Sequence, residues 1–289
     1  MSLKKQFFKE GYNIAIREGS EGGIFTNNTN FHVLKNDIFS WVADPFVFVH
    51  NGICYIFAER LKYRINRGVI AYTVYDPRTN STNGWHDVII EDYHLSFPNV
   101  FQNNGQIYIM PESSDGNTLC LYEAQDFPRS WKKIELMSNV KVVDSAFFDE
   151  KHGYTLELLK NGKTRARIFR LEDFKAEFCS GGVCSDTRVS RLGGKFFLYD
   201  GVLLKTSQNC RDSYGKELVF RSFNFSCGTT EEEDYRIITV DDIHLDKKIT
   251  NLNGIHTYNY YGGYEVIDLK SKRFAFFEFV NSIKRKLFR

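Results

Sequence analysis

The sequence predicts an all-β fold, and within that class a five-bladed β-propeller. Three observations point there. Short apolar runs closed by Gly or Asn-Gly turns fill the chain from residue 31 to about 277, as in "VFVHNGICYIFA", "VFQNNGQIYIMP" and "YNYYGGYEVIDL". These runs repeat, with starts near residues 44, 97, 144, 193 and 255. The spacing is that of a propeller blade, whose kelch-type repeat is about 50 residues. Polar residues also recur at fixed phase within the repeats, which a β-sandwich, the alternative architecture, gives no reason for.

The composition supports this reading. The chain has 289 residues, 42% of them hydrophobic, and its 26 Phe and 16 Tyr favour strands over helices. A formal net charge of only +2 gives no global signal for nucleic acid. The six cysteines contain no Cys-x-x-Cys pair and no His at zinc-ligand spacing. They read as reduced thiols of a cytosolic protein, a Cys179–Cys184 disulfide being the less favoured alternative. The N-terminal "MSLKKQFFKEGYNIAIR" has no apolar run of signal-peptide length, and no segment is long enough to span a bilayer.

Taken in order, residues 1–30 read as an N-terminal extension that can close the propeller, 31–275 as the five blades, and 276–289 as a basic apolar tail. A helix at each end is compatible with the pattern. The first blade contains "WVADPFVFVHNGICYIFAE" (41–59), where Asp44 and Pro45 precede a hairpin that ends on Glu59. The second repeats it as "FPNVFQNNGQIYIMPE" (97–112), which aligns Gly105 with Gly52, Pro98 with Pro45 and Glu112 with Glu59. The third, "VDSAFFDEKHGYTLEL", places Asp144 where the first has Asp44. In the fourth, Gln208 follows Gly201 by seven residues, as Glu59 follows Gly52. The fifth begins near Ile255 with "GIHTYNYYGGYEVIDL".

In a propeller the inner strand of every blade starts at the same end of the central channel, and the second strand returns to it. Asp44, Phe97, Asp144, Arg191 and His256 are therefore expected around one mouth, with Glu59, Glu112 and Gln208 on the same rim and Trp41, Tyr214 and Tyr258 close by. Pro at the start of the inner strand fits a position that needs no ladder donor. Converging carboxylates and aromatics are what sugar chemistry uses: rings stack on pyranose C–H faces, and paired acids serve as acid, base or nucleophile at the anomeric carbon. Each residue also has a plain structural reading, as a turn cap for the aspartates or an Arg60, Arg64 or Arg67 partner for the glutamates. The "SRLGGKFFLYDGVLLKTSQNCRDSYGKELVFRSF" stretch (190–223) adds a polar binding loop. Its Gly193-Gly194 permits close backbone approach, not phosphate cradling, since no helix follows.

These motifs, in this order over roughly residues 40–270, resemble one family: the N-terminal domain of plant glucosamine inositolphosphorylceramide transferases, also found free-standing in bacterial surface-polysaccharide loci. That domain is similar to the five-bladed propellers of arabinanase, xylosidase and invertase glycosidases. The resemblance implies carbohydrate chemistry without fixing the reaction, because the plant enzymes carry their recognised glycosyltransferase in a separate C-terminal domain. It implies that Asp44 is the base or nucleophile and that Asp144 is its electrostatic partner. Gln208 stands at the phase of the glycosidases' general acid, which Glu112 or Glu59 would then replace. A missing acid favours transfer from a donor whose leaving group departs as phosphate over hydrolysis.

The expected catalytic residues are thus Asp44, Asp144 and Glu112, with Glu59, Phe97, Arg191, Gln208, Tyr214 and His256 binding substrate. No metal ligands and no cofactor are predicted, and a divalent ion in the channel is left open. A sugar donor or glycan acceptor is the expected partner. Residues 271–289 carry six Lys/Arg against one Glu, so the tail reads either as a sealing element or as an anchor to an anionic membrane that carries a lipid-linked glycan. The expected location is cytoplasmic, peripheral to the inner membrane. Glycosyl transfer leads, and a glycoside hydrolase and a non-catalytic glycan-binding module are the alternatives.

Overall fold

A computed structural model of the chain describes residues 8–19, 23–26, 28–179 and 186–274. The basic tail and Cys184 lie outside them. The described chain folds into five antiparallel sheets arranged as the blades of a propeller. Strands β1 (Phe8–Glu18) and β2 (His32–Val33) come first. Blade 1 holds β3 (Ser40–His50), β4 (Ile53–Lys62), β5 (Arg67–Asp76), β6 (Ser81–Thr82) and β7 (His86–Ile89). Blade 2 holds β8 (Ser96–Asn103), β9 (Gln106–Glu112), β10 (Thr118–Asp126) and β11 (Ser130–Ser138). Blade 3 holds β12 (Val142–Phe147), β13 (His152–Leu158), β14 (Thr164–Glu172) and β15 (Lys175–Phe178). Blade 4 holds β16 (Phe197–Tyr199), β17 (Val202–Gln208), β18 (Leu218–Ser226) and β19 (Thr229–Ile238). Blade 5 holds β20 (Leu252–Gly254), β21 (Tyr258–Tyr261) and β22 (Tyr264–Phe274).

Within the N-terminal extension, Phe8–Glu18 form a strand where the sequence pattern was also compatible with a helix. All eleven residues of β1 pair with β22, from Phe8↔Phe274 to Glu18↔Tyr264, so the first strand of the chain is built into the last blade. Arg17 ties the two strands from the side, its Nε 2.6 Å from Glu265 Oε2 in a buried pair. Tyr12, Ile14 and Ile16 share one face of this strand and are buried, and Ala15 and Arg17 are buried on the other, as suits a strand packed between neighbours.

Hydrophobic residues fill the spaces between blades. Phe46, Phe57, Phe97 and Tyr154 belong to one buried cluster, and Phe25, Leu204, Phe220 and Tyr258 to another between blades 4 and 5. Burying a Phe contributes about 2–3 kcal/mol over leaving it exposed. Cys54, Cys120, Cys179, Cys210 and Cys227 are free thiols, the first two buried as small apolar groups.

Polar contacts join every neighbouring pair of blades into a ring. Asp268 Oδ2 of blade 5 accepts the Asp44 amide of blade 1 at 3.0 Å, and Asp44 Oδ2 accepts the Phe97 amide of blade 2 at 3.1 Å. Asn99 then donates to the Ser145 carbonyl of blade 3, and the Tyr154 hydroxyl to the Ser190 carbonyl ahead of blade 4. The Tyr258 amide donates to the Gly193 carbonyl at 2.7 Å, closing blade 4 on blade 5. This contact explains the double glycine: a Cβ on Gly193 would lie 2.7 Å from the His256 carbonyl, and one on Gly194 would overlap the Tyr258 carbonyl.

Candidate functional site

The site grows out of a backbone device repeated in three blades. The inner strands β3, β8 and β12 each slip register at one place, between Ala43 and Phe46, Ser96 and Asn99, and Val143 and Ala146. The residue at each slip has left-handed φ: Asp44 at 49°, Phe97 at 45° and Asp144 at 50°. Such bulges bend the strand and re-aim a side chain, and a non-Gly residue there carries a conformational cost of about 1–2 kcal/mol. The two aspartates therefore sit inside their strands rather than just before them, as the sequence suggested. Proline follows at positions 45 and 98 because the bulge removes the need for a ladder donor.

The residues paired with the position before each slip form the rim. Ala43 faces Glu59, Ser96 faces Glu112 and Val143 faces Leu156. In blade 4, the Gln208 amide donates to the Arg191 carbonyl, and in blade 5 the Asp268 amide donates to the Thr257 carbonyl. Asp268 is thus a rim residue that the sequence phase missed. It follows Gly263 by five residues, whereas Glu59 follows Gly52 by seven, so the shorter last hairpin hid it from a fixed offset.

Asp44, His256 and Asp268 make the innermost cluster. Asp44 accepts the Thr257 hydroxyl at 2.9 Å on Oδ1, and His256 Nε2 lies 3.6 Å from the same oxygen. His256 Nδ1 is 2.6 Å from Asp268 Oδ2, whose partner oxygen accepts the amides of His256 and Thr257. Burial raises the Asp44 pKa, with the imidazole opposing and Asp268 adding to the rise. Burial works against charge on His256, but Asp268 and then Asp44 outweigh it and hold its pKa above the usual value. Tyr12 stacks on the imidazole at 4.6 Å, Tyr214 meets it edge-on at 5.2 Å, and Trp41 lies beside Tyr12 at 5.1 Å. These rings cover His256, which is buried and faces Asp44 and Asp268 rather than the open rim where it was expected to bind substrate.

Asp144 forms the second cluster. Its Oδ2 takes a charge-assisted bond from Arg191 Nε and a weaker one from Gln208 Nε2 at 3.3 Å. Burial pushes its pKa up to about 7, with Arg191 opposing and Glu112 and Asp44 adding to the rise. The same carboxylate raises the Arg191 pKa despite burial. Gln208, expected to bind substrate, is interior, and its amide also donates to the Leu192 carbonyl at 2.7 Å. Arg191 spans the two rims, with Nη2 3.7 Å from Glu112 Oε2 and its guanidinium over the Tyr214 ring at 5.1 Å. Ser96 and Ser114 donate to the two oxygens of Glu112 at 2.8 and 2.7 Å.

Tyr214 is 39% exposed, and Arg191, Glu112 and Trp41 are partly open beside it. They form the lip, and Asp44 and Asp144 the floor. Glu59 is nearly buried and faces His94, Nε2 to Oε1 3.2 Å, rather than Arg60, Arg64 or Arg67. His94 had no signal in the repeat. Burial opposes its charge, but Glu59 raises its pKa to about 9, while burial raises that of Glu59. Two expected aromatics are elsewhere. The Phe97 ring is fully buried edge-on against Phe46 at 4.8 Å, because its bulge sends the amide, not the ring, toward the site. Tyr258 packs on Phe197 and Phe220 and donates to Glu265 at 2.8 Å.

Ligand atoms of Asp44, His256 and Asp268 lie within 4.8 Å of one another, the spacing a metal ion needs. Protein donors already occupy both Asp268 oxygens and both Asp44 oxygens. The donor set therefore fits a hydrogen-bonded charge cluster better than a cation cage. Further along the channel, Lys195 Nζ bonds the Val100 carbonyl and lies 5.3 Å from the Tyr261 ring centre and 5.8 Å from that of Phe46. Burial lowers its pKa to about 7.

Residues 31–275 match the family model described as glucosamine inositolphosphorylceramide transferase 1, N-terminal. The chain belongs to this family. Over 236 residues it is 29% identical to glucosamine inositolphosphorylceramide transferase 1 of Arabidopsis thaliana, covering 76% of this chain and 30% of the plant protein. The protein of the same name from Oryza sativa subsp. indica is 23% identical over 215 residues, 70% of this chain and 28% of that one. The chain thus spans under a third of the length of these members of the glucosamine inositolphosphorylceramide transferase family. Among solved structures, the catalytic domain of Coprinopsis cinerea GH62 α-L-arabinofuranosidase superposes with a TM-score of 0.56 at 14% identity, covering 82% of this chain and 93% of that one. The RS223 β-xylosidase gives 0.52 at 13% identity, with 81% and 92% covered. At such identities the likeness concerns the five-bladed propeller alone.

Proposed function

We propose that this domain transfers a glycosyl group to a lipid-linked or polysaccharide acceptor at the axial mouth of the propeller. The observation that carries this reading is the convergence of Asp44, Glu112 and Asp144 from three blades with Arg191 from the segment ahead of the fourth, in a chain whose family is named for transfer to inositolphosphorylceramide. In the reaction an acceptor hydroxyl attacks the anomeric carbon, its proton passes to the Asp44–Asp144 floor, and the bond to the donor phosphate breaks. Arg191 neutralises the departing phosphate, and Tyr214 offers a ring face to the sugar. Gln208 cannot donate a proton to a sugar leaving group, which disfavours simple hydrolysis.

The test is incubation of the purified protein with nucleotide-activated sugars and an inositol-phosphate lipid, followed by mass spectrometry. A new glycolipid, lost in Asp44→Asn, is the expected result. Free sugar in place of glycolipid would assign a hydrolase, and saturable sugar binding with no product would assign a glycan-binding module.

A further inference from the structure

The face that carries the site mouth also carries an exposed apolar and basic edge that the reaction does not use. Among the described residues, four of the five most exposed large apolar side chains lie there: Ile38 at 74%, Phe39 at 60%, Ile90 at 60% and Ile65 at 47%, with Tyr63 next to them. They come from the segment before β3, the β4–β5 hairpin tip and the residue after β7. The first two pieces touch, the Tyr63 amide donating to the Phe39 carbonyl at 3.0 Å. The same pieces carry Lys35, Lys62, Arg64 and Arg67, of which Lys35 and Arg64 are exposed. Lys62 is held by Asp87 and Arg67 by the Asp92 carbonyl, and Tyr63, Arg64 and Ile65 between them are exposed. Asp37, the one acidic residue in the two pieces, is taken up by Arg60.

The position of this edge relative to the site follows from strand register. Ala43 pairs with Glu59 and Ser40 with Lys62, so the tip begins three residues beyond the rim glutamate. At about 3.3 Å per residue the apolar tip stands roughly 10 Å above the carboxylates. That is the reach of a phosphate-linked sugar headgroup.

We propose that the Ile38–Phe39 and Tyr63–Ile65 edge docks this face on an anionic lipid surface, placing the site mouth at headgroup level. Isoleucine and phenylalanine enter the interfacial region, and Lys35 and Arg64 meet lipid phosphates. The proposed lipid acceptor enters only in the choice of partner. Vesicle binding is measured without turnover, so docking and transfer fail separately.

The test is cosedimentation of the full chain with phosphatidylglycerol–phosphatidylcholine vesicles and with phosphatidylcholine alone. Wild type is expected to sediment with the anionic vesicles. The surface pair Lys35→Glu and Arg64→Glu lowers partitioning roughly tenfold or more, Ile38→Ser with Phe39→Ser lowers it as well, and Leu198→Ser on the opposite end leaves it unchanged. Equal sedimentation of wild type and both edge variants overturns the proposal, as does failure of wild type to bind. Concentration-dependent dimers lost in the same variants, without vesicle binding, would assign the edge to a second copy instead.

Discussion

The carboxylate of Asp44 accepts the main-chain amide of Phe97 at 3.1 Å, so one side chain both lines the candidate site and fastens blade 1 to blade 2. Chemistry and architecture therefore share an atom, and substitutions here separate by what they leave behind. Asp44→Ala strands a buried amide and is expected to cost about 1–3 kcal/mol. Asp44→Asn keeps a carbonyl for that amide, and the Thr257 hydroxyl can turn to accept from the new NH2. It should fold within about 1 kcal/mol of wild type yet lose transfer. Urea denaturation alongside the product assay checks both.

Arg191 compensates Asp144, whose side chain is 2% exposed. Arg191→Met leaves that carboxylate beside Glu112 and Asp44 with its main counter-charge gone, and a loss of about 3 kcal/mol at neutral pH is expected. Because burial raises the folded-state pKa of Asp144 to about 7, its contribution is fully present below the unfolded value and is lost as pH rises through 7. The deficit of Arg191→Met should be larger at pH 8 than at pH 5, and adding Asp144→Asn should recover much of it. Melts of the single and double variants at the two pH values decide this.

The His94–Glu59 pair has its own pH signature. The folded-state pKa of His94 is raised to about 9 from 6.5, so its stabilisation is complete below 6.5 and disappears as pH climbs through 9. His94→Gln is expected to flatten the stability profile across that window. An unchanged slope would mean that the imidazolium does not pair with Glu59 in solution.

Closure of the ring by β1 predicts that removing residues 1–18 does more than shorten an end. The deletion takes away the full partner of β22 and leaves Glu265 buried without Arg17. The truncated chain should lose its sharp thermal transition by circular dichroism. A cooperative melt near that of the full chain would show that blade 5 stands on four blades and its own hairpins.

The sequence made the fold legible because the blades repeat a hairpin of nearly constant length, which brings Glu59, Glu112 and Gln208 to one rim by counting alone. Counting failed where length varied: Asp268 sits two places off the expected phase. It also failed where backbone geometry overrode side-chain type, as at Phe97, whose amide serves the site while its ring packs in the core. Tyr12 was invisible for a topological reason. Nothing local in "KEGYNIAIRE" shows that its strand inserts into a blade made by residues more than two hundred positions away.

The most direct test of the shared site is a crystal of the protein soaked with a nucleotide-activated hexosamine. The account predicts sugar density at the axial mouth, against the Tyr214 ring and within hydrogen-bonding reach of Arg191 and Glu112. Ordered sugar bound at any other surface, with that mouth filled only by solvent, would contradict it.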